Sequence, residues 1–135
     1  MKTPKEIVDL MLKIDAFSQW LGVEILDIKL GFCVLKAKVT KHMLNGFSIA
    51  HGGISYSLAD SALAFASNSR GNQAVSIETS ISHIKKVLEN DVLTATCIEV
   101  QRGKTIGRYR VEVKNQSNEL IAIFNGTIHI SDKIW

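Results

Sequence analysis

At 135 residues the chain has the length of one domain, enough to bury roughly two thirds of its unfolded surface. Its 46% hydrophobic and 21% charged content is that of an ordinary globular protein, and no apolar run approaches the ~20 residues that a bilayer-spanning helix needs. A net charge of +3, with basic residues scattered and no aromatic side chains interleaved, argues against a nucleic-acid partner but suits a small polyanionic ligand.

The first residues lead into no apolar signal core, so a cytoplasmic location is expected. Thr3, Pro4 and Glu6 form a helix start: Thr3 caps, Pro4 suits the first turn and Glu6 completes a capping box. Ile7, Leu10, Met11, Ile14, Phe17 and Leu21 recur at helical spacing, predicting one amphipathic helix over about 4–21 that ends at Gly22. Two strands follow, 23–30 and 33–39, joined at Gly31 and Phe32. Residues 40–51 read as a loop. The segment 52–67 is different in kind, because Ile54, Leu58, Ala59, Ala62, Leu63, Phe65 and Ala66 leave almost no polar face. Such a helix must be buried.

After a turn at 68–72 come four strand-like stretches, 74–83, 91–101, 105–115 and 120–131, with hairpin turns at 102–104 and 116–119. Cys33 and Cys97 fall within strands without the spacing of a zinc site, which predicts buried, reduced thiols and no metal centre. A single α+β domain over 1–135 results, in which a curved antiparallel sheet wraps the apolar helix.

The chemistry concentrates around the start of that helix. Gly52 and Gly53 leave its first N–H groups bare, and those groups lack intrahelical partners and sit at the positive end of the helix dipole. They can hold an oxygen that becomes negative during a reaction. Asp60 is a carboxylate inside an apolar stretch, where an unpaired charge is costly. His51 and Asn45 complete the set. Taken singly, each also fits a plain role: a solvated helix charge, a capping histidine, a tight loop-to-helix junction, a turn. Asp60 lies eight residues past Gly52, roughly 12 Å along the helix. One chain cannot bring both groups to one bond. Two antiparallel copies about a twofold axis can, so the active sites are expected at a dimer interface.

These residues resemble a known family. Met43, Leu44, Asn45 and Gly46, then His51, Gly52 and Gly53, then Ser57 through Asp60 with Ala62, Phe65, Ala66, Asn68 and Ser69, are similar to the PaaI-type hotdog acyl-CoA thioesterases of phenylacetic acid degradation. The likeness runs from about residue 16 to 131 and takes in Leu93 to Thr96, the Gly103–Lys104 hairpin and Glu112 to Gln116. It implies the hotdog fold, with Asp60 as nucleophile or general base and Gly52 N–H as the donor that polarises the thioester. It further implies that Asn45 holds the acyl group or attacking water, that His51 orients, and that Ser76 is a small hydroxyl residue near the carboxylate. Gly53, Lys85, Lys86, Arg102 and Lys104 are candidates for substrate binding, the basic residues toward the nucleotide phosphates. Coenzyme A would enter only as part of the substrate, with no separate cofactor, and the assembly would be a homodimer or a homotetramer made of two dimers. Phenylacetyl or hydroxyphenylacetyl groups are suggested as substrates by this likeness alone.

The chain departs from the family pattern between His83 and Asp91, where Lys85 and Lys86 replace an Arg-Pro pair and Asn90 stands where Gly is usual. Two other readings compete: an acyl-CoA-binding or sensing module without catalysis, which has no need for Asp60, and a hydratase, which wants another His and acid arrangement.

Overall fold

A computed structural model describes the whole chain, Met1–Trp135. The N-terminal segment forms α1 (Pro4–Ile14) and α2 (Ala16–Leu21), two helices where the sequence predicted one over 4–21. Asp15 causes the break. Its N–H donates to Leu12 O, closing α1, while its Oδ1 accepts from Ser18 N at 2.9 Å and caps α2. Ser18 Oγ also donates to Asp15 Oδ2 and meets Ser61 Oγ at 2.8 Å, which ties the kink to the central helix. The apolar stripe divides accordingly. Ile7, Val8 and Leu21 are buried, whereas Leu10, Ile14 and Phe17 point to solvent. The capping box at Thr3 and Glu6 is formed, and Gly22 ends α2 with a left-handed φ of 75°.

The strands are β1 (Glu24–Lys29), β2 (Phe32–Lys38), β3 (Asn72–His83), β4 (Val92–Arg102), β5 (Ile106–Lys114) and β6 (Leu120–Ile134). They make one antiparallel sheet in the order β1-β2-β4-β5-β6-β3. The central helix α3 (Gly52–Asn68) lies against it. The fold is the expected α+β hotdog, and no helix is long and apolar enough to cross a membrane. The 40–51 loop carries a 3-10 turn, Lys41–Met43, and a bridge from Leu44 to Ala50.

Alternation fixes which side of each strand faces α3. Cys33, Leu35 and Ala37 of β2 lie opposite Cys97, Ala95 and Leu93 of β4, all buried. Tyr109, Val111 and Val113 of β5 and Phe124 and Ile128 of β6 continue that face. Against it α3 presses Leu58, Leu63 and Phe65, each about 1.5–3 kcal/mol of burial. Asn90 adopts φ 72°, a left-handed conformation that asparagine tolerates. The turn before β4 therefore keeps a glycine-like backbone at this position despite the change of residue.

Gly126 sets how closely α3 approaches β6, because a Cβ there would stand 2.5 Å from Leu63 Cδ2. Gly126→Ala should lower stability by about 1–3 kcal/mol through overpacking. Denaturant unfolding measures this, and an unchanged midpoint would contradict such tight packing.

Candidate active site

Four hydrogen bonds shape the mouth of α3. His51 N donates to Met43 O and Ala50 N to Val87 O, both at 2.8 Å, which fixes the approach to the helix. The His51 side chain then turns back, and its Nδ1 accepts from Gly53 N at 2.9 Å. Ile54 N donates to His51 O. No partner in the chain is found for the Gly52 N–H, the first donor of the helix. Gly53, expected to share the substrate, has its N–H committed to His51. The same bond assigns the His51 tautomer: Nδ1 accepts, so in the neutral ring the proton sits on Nε2, which faces outward as a donor.

Asn45 is anchored by its oxygen. Oδ1 accepts from Phe47 N at 2.9 Å and Ile49 N at 3.4 Å, holding the tight 45–49 turn in which Ser48 takes φ 60°. Its Nδ2 remains available, so Asn45 can donate toward a bound oxygen. Asn45, His51 and Gly52 line a cavity of about 220 Å³ together with Ser55, His83 and Lys86. Lys85 also borders it, but its ammonium is paired with Glu119. Of the two adjacent lysines, Lys86 has no ion-pair partner.

Asp60 stands elsewhere. It lines a second cavity of about 370 Å³ shared with Ser76 of β3, Leu63, Ala64 and Met11, with Trp135 at the Asn68 end. Burial among these groups holds its carboxyl above the ordinary value of 3.8, and no cation offsets the effect. The chain thus gathers Asn45, His51, Gly52, Lys85 and Lys86 in one place and Asp60 with Ser76 in another. The two places are two turns apart on one rigid helix, roughly 12 Å.

Arg102 and Lys104 border neither cavity. The Arg102 guanidinium donates to Ser67 O and Tyr109 Oη, both at 3.1 Å, and so completes the C-terminal end of α3. Lys104 sits at the exposed tip of the β4–β5 hairpin. The sequence reading missed His83, Ser55 and Trp135. His83 Nδ1 lies 3.4 Å from Ser55 Oγ, and its Nε2 would be 3.2 Å from a Cβ on Gly52. Only the packing of β3 against α3 brings these together. Ser55 alone carried a local signal, being three residues past Gly52 and hence on its helical face.

Comparison with known proteins gives a consistent picture. A family model described as the thioesterase superfamily matches residues 47–122. The acyl-coenzyme A thioesterase PaaI of Escherichia coli K12 is 40% identical over 119 residues, covering 88% of this chain and 85% of that protein. The solved structure of E. coli PaaI, from the phenylacetic acid degradation operon, superposes with a TM-score of 0.95 at 36% identity, covering 97% and 95% of the two chains. A hypothetical thioesterase from Streptococcus pneumoniae TIGR4, solved with coenzyme A, gives 0.87 at 27% identity over 93% and 98%. A Streptococcus mutans protein bound to acetyl-CoA gives 0.81 at 26% over 84% and 91%.

The Asp60 environment carries a stability signature. The unfolded chain releases this proton near 3.8, the folded chain only at higher pH. Within that window the native state holds the extra proton, so stability declines as pH rises, and the loss persists above it. Asp60→Asn should therefore melt above the parent protein at pH 7, with the difference shrinking below about pH 3.8. A variant that melts at or below the parent at pH 7 would contradict the burial of an unpaired carboxylate.

Proposed function

We propose that this chain, which belongs to the thioesterase superfamily, hydrolyses acyl-CoA thioesters at active sites each assembled from two copies, Gly52 of one facing Asp60 of the other. The observation that carries this reading is the division of one helix into two incomplete halves. Its mouth offers an unbonded N–H with nothing to attack, and two turns on, a carboxylate stands without a donor.

The edge of the sheet supports the pairing. β3 is a long outer strand of 12 residues with Val75 and Ile77 more than half exposed, an edge that invites another strand. The Tyr56 hydroxyl bonds Thr79 Oγ1, linking α3 to β3. Tyr56 lies midway between Gly52 and Asp60, and Thr79 lies midway between Val75 and His83. A twofold axis at this contact extends the sheet through β3 and lays the two α3 helices antiparallel. Asp60 and Ser76 of one copy then approach Gly52 and His83 of the other.

In such a site the Gly52 N–H donates to the thioester oxygen as it gains negative charge. The ionised Asp60 carboxylate adds to the carbonyl carbon, or takes a proton from the water that does. The C–S bond breaks and coenzyme A leaves as thiolate; in the first route water then cleaves the Asp60–acyl anhydride and frees the carboxylate, and in both routes water supplies the oxygen of the free acid and the proton that the thiolate takes up. Asn45 Nδ2 and His51 Nε2 are donors placed to hold the acyl oxygen, the water or the coenzyme beside them. Lys86 is the basic residue placed for the coenzyme's phosphates. Every step uses groups of the chain, the substrate and water. The coenzyme A and acetyl-CoA found in the streptococcal relatives support the ligand class. The setting of E. coli PaaI makes phenylacetyl-CoA the first substrate to try.

Asp60→Asn should lower turnover at least about a hundredfold with the fold intact, read as thiol release from acyl-CoA. Near-normal turnover would end the proposal. A second pair of variants isolates the donor. Proline is tolerated at the first helical position, and His51 already holds the extended φ −58°, ψ 138° that precedes proline. Gly52→Ala keeps the N–H and Gly52→Pro removes it, so the proline variant should be slower by a further ~100-fold or more. Equal rates for the two would remove Gly52 from the mechanism. Mixing Asp60→Asn with Gly52→Pro subunits should restore up to about a quarter of parental activity, since each mixed dimer keeps one intact site. Absence of any recovery, with exchange of subunits demonstrated, would rule out a site shared between chains.

A further inference from the structure

The cavity beside Asp60 has a built end wall. It follows one stripe of α3 from Asp60 through Leu63, Ala64 and Ser67 to Asn68, roughly 12 Å of helix. Met11 of α1 borders it, and Ala74 of β3 and Ile128 of β6 border it from the sheet. Ala64 and Ala74 are the small side chains that leave the space open. Trp135 lies at the Asn68 end.

The indole is held firmly. Trp135 Nε1 donates to Asn68 Oδ1 at 2.8 Å, and its backbone N donates to Gly71 O at 3.0 Å. Asn68 is itself buried and fully engaged: Oδ1 also accepts from Ala74 N, and Nδ2 donates to Ala64 O at 2.8 Å and Ala74 O at 3.0 Å. One carboxamide thereby joins the last turn of α3, the start of β3 and the indole ring. Moving the ring aside would cost the indole N–H its bond to Asn68, while Oδ1 would keep only the one from Ala74 N.

We propose that this cavity receives the acyl group and that Trp135, clamped by Asn68, sets the greatest length of acyl chain the enzyme accepts. The inference rests on the thioesterase reading, in which the acyl group leads away from the carbonyl held at Gly52 toward the Asp60 cavity of the other copy. The substrate class that fits is a compact acyl group, arylacetyl or short to medium chain. A long fatty acyl chain runs into the indole face. Ser76 and Gln73 are the polar side chains on the sheet side, so the walls past Asp60 are mainly apolar and select by size.

The test is a series of acyl-CoA substrates, acetyl, hexanoyl, phenylacetyl and dodecanoyl, read as kcat/KM by thiol release. The parent enzyme should favour hexanoyl-CoA and phenylacetyl-CoA over dodecanoyl-CoA. Trp135→Ala should raise the dodecanoyl-to-hexanoyl ratio by about tenfold or more, the scale on which apolar pockets discriminate chain length. Trp135→Phe, which leaves a smaller ring without the Nε1–H bond to Asn68, should raise the same ratio by less, and it carries the test of Trp135 if Trp135→Ala does not fold. Ala64→Leu fills the cavity from the helix side and should act in reverse, depressing hexanoyl and phenylacetyl rates relative to acetyl, which tests the cavity as the acyl site. Ratios unchanged in both Trp135 variants, or all substrates falling in parallel, would overturn the role of Trp135 while leaving the thioesterase reading intact. A parent enzyme inactive on every acyl-CoA would defeat both together.

Discussion

A helix that is apolar on nearly every face can satisfy itself in water only by being surrounded, and this requirement on α3 organises the molecule. The sheet supplies one continuous apolar face, from Cys33 and Leu35 through Ala95, Val111 and Phe124, and curls about the helix. The kinked pair α1 and α2 adds cover through Val8, Leu21 and the Ser18–Ser61 contact. What remains half-exposed on α3 is one stripe, from Gly52 and Gly53 at its mouth through Tyr56 and Ser57 to Asp60 and Ala64. The candidate chemistry lies toward the two ends of that stripe, at Gly52 and at Asp60.

The enclosure also makes the site rigid. His51 at one end of α3 and Asn68 at the other use side-chain hydrogen bonds to fix where the helix begins and stops. Between them the backbone cannot flex enough to bring Gly52 and Asp60 together, so the distance between donor and carboxylate is set by helical rise alone. A preorganised donor needs this kind of scaffold, because its value in a reaction depends on not having to move. The same stiffness leaves the Asp60 carboxyl with no neutralising partner inside its own chain, and burial raises its affinity for protons.

Much of this was legible in the sequence because it is local. The near absence of a polar face over residues 52–67 announced a buried helix, the alternation of Leu93, Ala95 and Cys97 a half-buried strand, and Thr3 with Glu6 a capped start. The Gly52-to-Asp60 spacing even carried the argument for a second copy. What was not legible depends on contacts between distant segments. Asp15 breaks the first helix because it caps the next one, and a run of apolar residues at helical spacing hides that. Arg102 looked free for phosphate until the end of α3 claimed it, and Lys85 until Glu119 did. His83 reaches Gly52, and Trp135 reaches Asn68, only once β3 and β6 are laid beside the helix.

The two cysteines have a practical meaning. Cys33 and Cys97 face each other across β2 and β4, fully buried, and burial pushes the Cys33 thiol up to about 12 and Cys97 higher still. Disulfide reagents react with thiolates that they can reach, so the native protein presents them with nothing to titrate. Colour developed by such a reagent in the presence of substrate is then the signal of liberated coenzyme, and any slow drift without substrate reports strands β2 and β4 coming apart.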